Sequence, residues 1–108
     1  MVERMIIEDL RMLGIGRQYL GHNMIVKAVM IVIADSNALL CVKRKIFQPI
    51  AGIEHCDWRT IERDIRTAIG RAWKINRTYL IELAHYPLHQ EPTVTEFLEI
   101  ISAHAMRR

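Results

Sequence analysis

Apolar residues along this chain recur mostly at three- and four-residue intervals, a spacing that predicts helices almost throughout. Val2 to Leu13 puts Ile6, Ile7, Leu10 and Leu13 on one face, with Gly14 as a helix stop and Gly14-Ile15-Gly16 as a turn. Gln18 to Asp35 is apolar on most sides. Its Val and Ile content favours a strand, but its length and lack of turn residues favour a buried helix, the reading adopted here. Ser36-Asn37 breaks it. Ala38 to Phe47 predicts a third helix, with Lys43, Arg44 and Lys45 on its exposed side. Pro49 is expected to bend the chain or to begin a new helical turn through Ile53, and Gly52 to Cys56 to form a short turn.

The fourth helix is the most informative segment. Asp57 is a suitable N-cap, and residues 58, 61, 65, 68, 69, 72 and 73 form one continuous apolar face. At about 100° per residue, the opposite side carries Thr60, Arg63, Thr67, Gly70 and Lys74, with Arg59 and Arg66 flanking it. Such a helix suits a DNA major groove, because arginine makes bidentate contacts to guanine and threonine offers a hydroxyl or a methyl to a base edge. Taken alone, the segment reads first as an ordinary solvated amphipathic helix, and the rest of the chain shifts that reading. Arg77 to Tyr86 predicts a fifth helix, with Leu80, Ile81 and Ala84 inward and Pro87 ending it. Thr93 or Thr95 caps a sixth through Met106, and Glu96 stands at capping-box spacing from Thr93. The expected architecture is all-α: one six-helix domain over residues 1–108 that contains a helix-turn-helix, the short helix before the turn leading into the basic one.

Composition narrows the classes. The chain has 108 residues, 51% hydrophobic and 25% charged, which fits one globular domain and not a disordered segment. Its two cysteines, Cys41 and Cys56, form no Cys-x-x-Cys pair, so neither a zinc ribbon nor a disulfide framework is indicated and a reduced, cytosolic compartment is expected. Charges at positions 3, 4, 8, 9 and 11 argue against a signal peptide. The longest apolar run, Met24 to Ala34, is interrupted by Lys27 and falls well short of the ~20 residues that span a bilayer. No membrane association is expected. Net charge is +3, unevenly spread. Residues 43–77 hold nine Lys or Arg, whereas residues 78–106 hold none and carry Glu82, Glu91, Glu96 and Glu99. A basic region and an acidic one on a small domain suit an oriented encounter with a polyanion.

Enzyme chemistry finds little support. His85 and His89 are four apart, but Pro87 interrupts any helix that would align them. Nothing supplies the four ligands of a structural zinc, so no metal and no cofactor are expected. There is no nucleophile-elbow, phosphate-loop or zinc-protease motif. Cys56 beside His55 reads as a turn cysteine, and Glu62 and Asp64, two apart on a helix, point away from each other. No catalytic residue is assigned.

The pattern Ile61-Glu62-Arg63-x-Ile65-Arg66-x-Ala68-Ile69-x-x-Ala72-Trp73 resembles the recognition helix of the stage-zero sporulation response regulators. Leu13-Gly14-Ile15, Gly21, Ala28 and Asp35 fall in register with that family's opening helices. Leu39-Leu40, Lys45 and Pro49-Ile50-Ala51 follow its third helix, and Pro92-Thr93-x-Thr95-Glu96-Phe97 resembles the opening of its last. Nearly the whole chain is covered, with one-residue length differences near Ser36 and between Pro49 and His55.

The resemblance implies a six-helix effector domain of a bacterial, cytoplasmic transcription regulator. Its helix-turn-helix would read TGTCGAA-like boxes in double-stranded DNA, as a homodimer on tandem sites and in contact with RNA polymerase. Two departures matter. Where the family's outward stripe presents two arginines and a histidine, this chain has Thr60, Arg63 and Thr67, which retains only the middle arginine. Each lost bidentate contact removes about 1–3 kcal/mol of discrimination, so altered boxes or weaker affinity are expected. Thr67 could still meet a base edge or a thymine methyl, and Arg59 could partly replace the missing arginine. Family members also carry a phosphoacceptor receiver ahead of this domain. The chain is therefore expected to be a stand-alone relative or a trimmed piece, not itself switched by aspartyl phosphorylation.

Arg63 is thus expected to read a base, guanine above all, with Thr60 and Thr67 beside it. Arg59, Arg66, Arg71 and Lys74, then Lys43, Arg44 and Lys45, are expected on the DNA backbone. Trp58 and Trp73 are assigned to the core. The rival expectation is a protein-interaction module of the same fold that has lost specific DNA binding and modulates a full-length regulator or polymerase.

Overall fold

The computed structural model describes residues 1–107. Among these there are six α-helices and no strand: α1 (Val2–Met12), α2 (His22–Ala34), α3 (Gln48–Glu54), α4 (Trp58–Ile75), α5 (Arg77–Ala84) and α6 (Val94–Arg107). A 3₁₀ segment, Ser36–Leu40, and a π-helical turn, Lys43–Phe47, fill the interval between α2 and α3. The all-α, six-helix expectation holds.

α2 occupies the middle because it is apolar nearly all round. Met24, Ile25, Val26, Ala28, Val29 and Val32 are buried, and α1, α4 and α6 pack against it. A single cluster of buried side chains runs through the helices, from Ile6 and Leu10 of α1 to Phe97 and Ile101 of α6. α1 ends as Gly14 predicts. With φ at +81°, Gly14 donates to the Arg11 carbonyl at 3.0 Å while Ile15 donates to that of Leu10 at 2.8 Å, the paired bonds of a Schellman stop.

Several boundaries differ from the sequence expectation, each for a local reason. α2 begins at His22, not Gln18, because the chain is still turning: Tyr19 bonds back to Gly16, and His22 to Tyr19. Gly21 sets the spacing here. A Cβ on it would lie 2.7 Å from the Asp64 carbonyl oxygen, so its bare Cα lets α2 start directly against the α4 backbone.

The helix expected over Ala38–Phe47 is instead broken at Cys41, whose φ of −150° leaves the helical range. The π turn that follows runs straight into α3, with Pro49 in its first turn. A wider turn ahead of Pro49 relieves the meeting of its ring with the carbonyl four residues back, that of Lys45. Of the two expectations for Pro49, starting a helix is the one observed. Gly52 stays inside α3, and the turn reduces to His55-Cys56-Asp57, with His55 left-handed at φ 57°. α5 stops at Ala84, before Pro87, because His85 also turns left-handed at φ 63°. Ile81 is half-buried, and Leu83 takes the inward place.

Candidate nucleic-acid interface

α3, the three-residue turn and α4 form the helix-turn-helix. Asp57 caps α4 as expected, its carboxylate accepting from the Arg59 amide at 2.8 Å. Ile61, Ile65, Ala68, Ile69 and Ala72 bury the inner face. This anchoring leaves the opposite stripe to solvent: Arg63, Thr67 and Lys74 are exposed, Thr60 and Gly70 half-exposed.

Neither tryptophan is a core residue in the strict sense. Trp58 and Trp73 are half-buried, packed on the rim of the core. Trp58 lies parallel to Phe47 with ring centroids 6.3 Å apart. Lys43 Nζ stands 4.7 Å from its ring and the Arg59 guanidinium 5.2 Å. One indole thus collects a cation from the turn before α3 and another from the first turn of α4. At the far end, Arg77 covers Trp73 at 4.1 Å.

The arginines of α4 are individually steadied. Arg63 Nε reaches the Asp64 carboxylate at 3.4 Å, Arg66 pairs with Glu62 at 3.1 Å, and Arg59 with Asp57 at 3.4 Å. Asp64 is nearly buried while the Arg63 side chain is 67% exposed, so the carboxylate works as a fixed post for a solvent-facing guanidinium. Arg71 is committed differently: its Nε donates to the Gly14 carbonyl at 2.6 Å and its guanidinium lies 5.0 Å from the Tyr19 ring. Thr67 donates its hydroxyl back to the Arg63 carbonyl at 2.9 Å, which leaves its methyl as the outward group. Lys43, Arg44 and Lys45 are all exposed on the π turn, Lys45 at 3.9 Å from Asp35. The ten residues singled out from the sequence therefore belong to two elements, α4 and the π turn, and Trp58 joins them.

The description "Sporulation initiation factor Spo0A C terminal" belongs to a family whose sequence model matches residues 6–105. The chain belongs to this family. No curated protein and no solved structure matches it. Membership in the sporulation-factor C-terminal family makes this a DNA-binding, transcription-regulating domain and makes DNA its partner class. Among the described residues no helix is long and apolar enough to cross a membrane, and no group of three or more His, Cys, Asp or Glu is placed to hold a metal.

Three features of this interface escaped the sequence reading. Asp64 reads from the sequence only as pointing away from Glu62, although its place three after Ile61 and four before Ala68 sets it at the edge of the buried face. The cation–indole contacts of Trp58 need the tertiary path of the π turn. Glu91, from the loop between α5 and α6, lies against Gly70, and no periodicity within α4 could have indicated that.

Proposed function

We propose that this chain is a sequence-specific DNA-binding regulator of transcription that lays α4 in the major groove. Arg63 reads guanine, with Thr60 and Thr67 lining the same stripe. Arg59, Arg66, Lys74, Lys43, Arg44, Lys45 and Arg71 face phosphates, which position the protein without specifying sequence. The observation behind this reading is the exposed Arg63 guanidinium steadied by buried Asp64, with Thr60 and Thr67 on either side of it along the outward stripe. A single such domain over residues 1–108, working in the bacterial cytoplasm, in pairs on tandem sites and in touch with RNA polymerase, completes the proposal.

One observation favours a second reading, a protein-interaction module that has lost base-specific binding. The Thr67 hydroxyl is turned into its own helix, so Arg63 is left as the chief polar reader. Selection of bound duplexes from a random pool, followed by titration of the winners across salt concentration, separates the two. A reader enriches a defined box and keeps its preference as salt rises. A phosphate-only binder enriches nothing, and its log affinity falls with log salt by about 0.9 per phosphate contacted.

A further inference from the structure

Glu91 brings a negative group onto the outward stripe of α4 from another part of the fold, the loop between α5 and α6. A Cβ built on Gly70 would have both Glu91 carboxylate oxygens 3.6 Å away, ordinary van der Waals contact, so this carboxylate lies against α4 at position 70. It lines one groove of about 380 Å³ together with Tyr19, Thr67, Arg71 and Lys74, yet it forms no ion pair with either cation among the described residues. Its placement is not that of a loose loop charge. Pro92, which follows, is buried and restricts Glu91 to an extended backbone. Thr93 then caps α6, accepting from the Glu96 amide at 3.1 Å. On the other side of the loop, the Tyr86 hydroxyl donates to Glu96 at 2.8 Å.

We propose that Glu91 limits the affinity and salt dependence of DNA binding by opposing the attraction to phosphates. Gly70 lies about one turn beyond Thr67, at the end of the stripe where a recognition helix entering by its N-terminal half leaves the groove and meets the backbone. A carboxylate there faces phosphates. It weakens the sequence-independent attraction supplied by Arg59, Arg66, Lys74 and the π-turn cations, and leaves the Arg63 contact untouched. Because phosphate attraction is common to every duplex, Glu91 changes how tightly the domain holds DNA of any sequence and leaves the preference between duplexes to the Arg63 stripe. This inference rests on the major-groove reading of α4.

The test is fluorescence-anisotropy titration of the whole chain, as wild type, Glu91→Gln and Glu91→Lys, with its selected box and a scrambled duplex at several salt concentrations. Glu91→Gln is expected to tighten binding to both duplexes by about three- to fivefold, the effect of one charge a few ångströms from a phosphate in water. Glu91→Lys should tighten it further and steepen the salt dependence by about one unit of slope. Wild-type binding that neither substitution changes would overturn the role of Glu91 while leaving the reading of α4 standing. Weaker binding of Glu91→Gln to the box alone would make Glu91 a base acceptor and overturn it equally. If no variant binds either duplex at low salt, the major-groove reading fails and this inference with it.

Discussion

Arg63 donates through Nε to the buried carboxylate of Asp64 at 3.4 Å while its side chain stays largely exposed. Replacing it with alanine removes the best base-reading group of the stripe while leaving the buried face intact. A second side chain gives a pH signature. The bond from the Tyr86 hydroxyl to Glu96, with partial burial and the negative charges of Glu96 and Glu99 behind it, pushes the phenol up to about 12 from its ordinary 10. Between those values the folded chain keeps a proton that the unfolded chain has lost. That stability is fully present below pH 10 and is lost as pH rises toward 12. Tyr86→Phe should flatten this decline, seen in urea midpoints measured on either side of pH 10; an unchanged slope would show that the bond does not hold the proton.

At the scale of elements, most of α4 was legible in the sequence. Its apolar positions are far denser on one face than propensity alone requires, and Asp57 marks its start. α1 was equally legible, because Gly14 can take the left-handed stop that other residues resist. The stretch between α2 and α3 was not. Its break at Cys41 and the widened turn before Pro49 depend on how the chain must travel over α2, and helical periodicity continues across both. The left-handed stop at His85 is not legible for a related reason: histidine gives no warning of it, and Pro87 marks the end of α5 only to within a few residues. Gly21 tests how tightly two elements are set together. Gly21→Ala would drive a Cβ into the Asp64 carbonyl, a backbone atom that cannot swing aside, and should cost about 1–3 kcal/mol in urea denaturation. A loss below about 0.5 kcal/mol would mean that α2 and α4 slide apart easily.

Across the whole molecule, the ends of the chain are joined at Asp9. This buried carboxylate of α1 accepts from the Tyr79 hydroxyl of α5 at 2.7 Å and stands 2.7 Å from His104 Nδ1 of α6. Asp9→Ala takes an acceptor from both partners and should destabilise the fold by about 1–3 kcal/mol, measured by urea unfolding at neutral pH. An effect within about 0.5 kcal/mol would show that the bonds are replaced by water. No sequence pattern pairs residues 9, 79 and 104, since each lies on a helix whose register is set by its own apolar face. The candidate interface divides in the same way. Its cations and threonines were legible from the stripe of α4, whereas Asp64, the Trp58 contacts and Glu91 became visible only once the helices were packed.

The central claim is that α4 reads bases through Arg63, and anisotropy titration of wild type and Arg63→Ala against the box selected from the random pool and its scrambled counterpart tests it most directly. The expected result is a wild-type preference for the box that Arg63→Ala reduces by about 1–3 kcal/mol, with affinity for the scrambled duplex changed far less. Equal, salt-sensitive binding of both duplexes by both proteins would contradict readout of this box through α4.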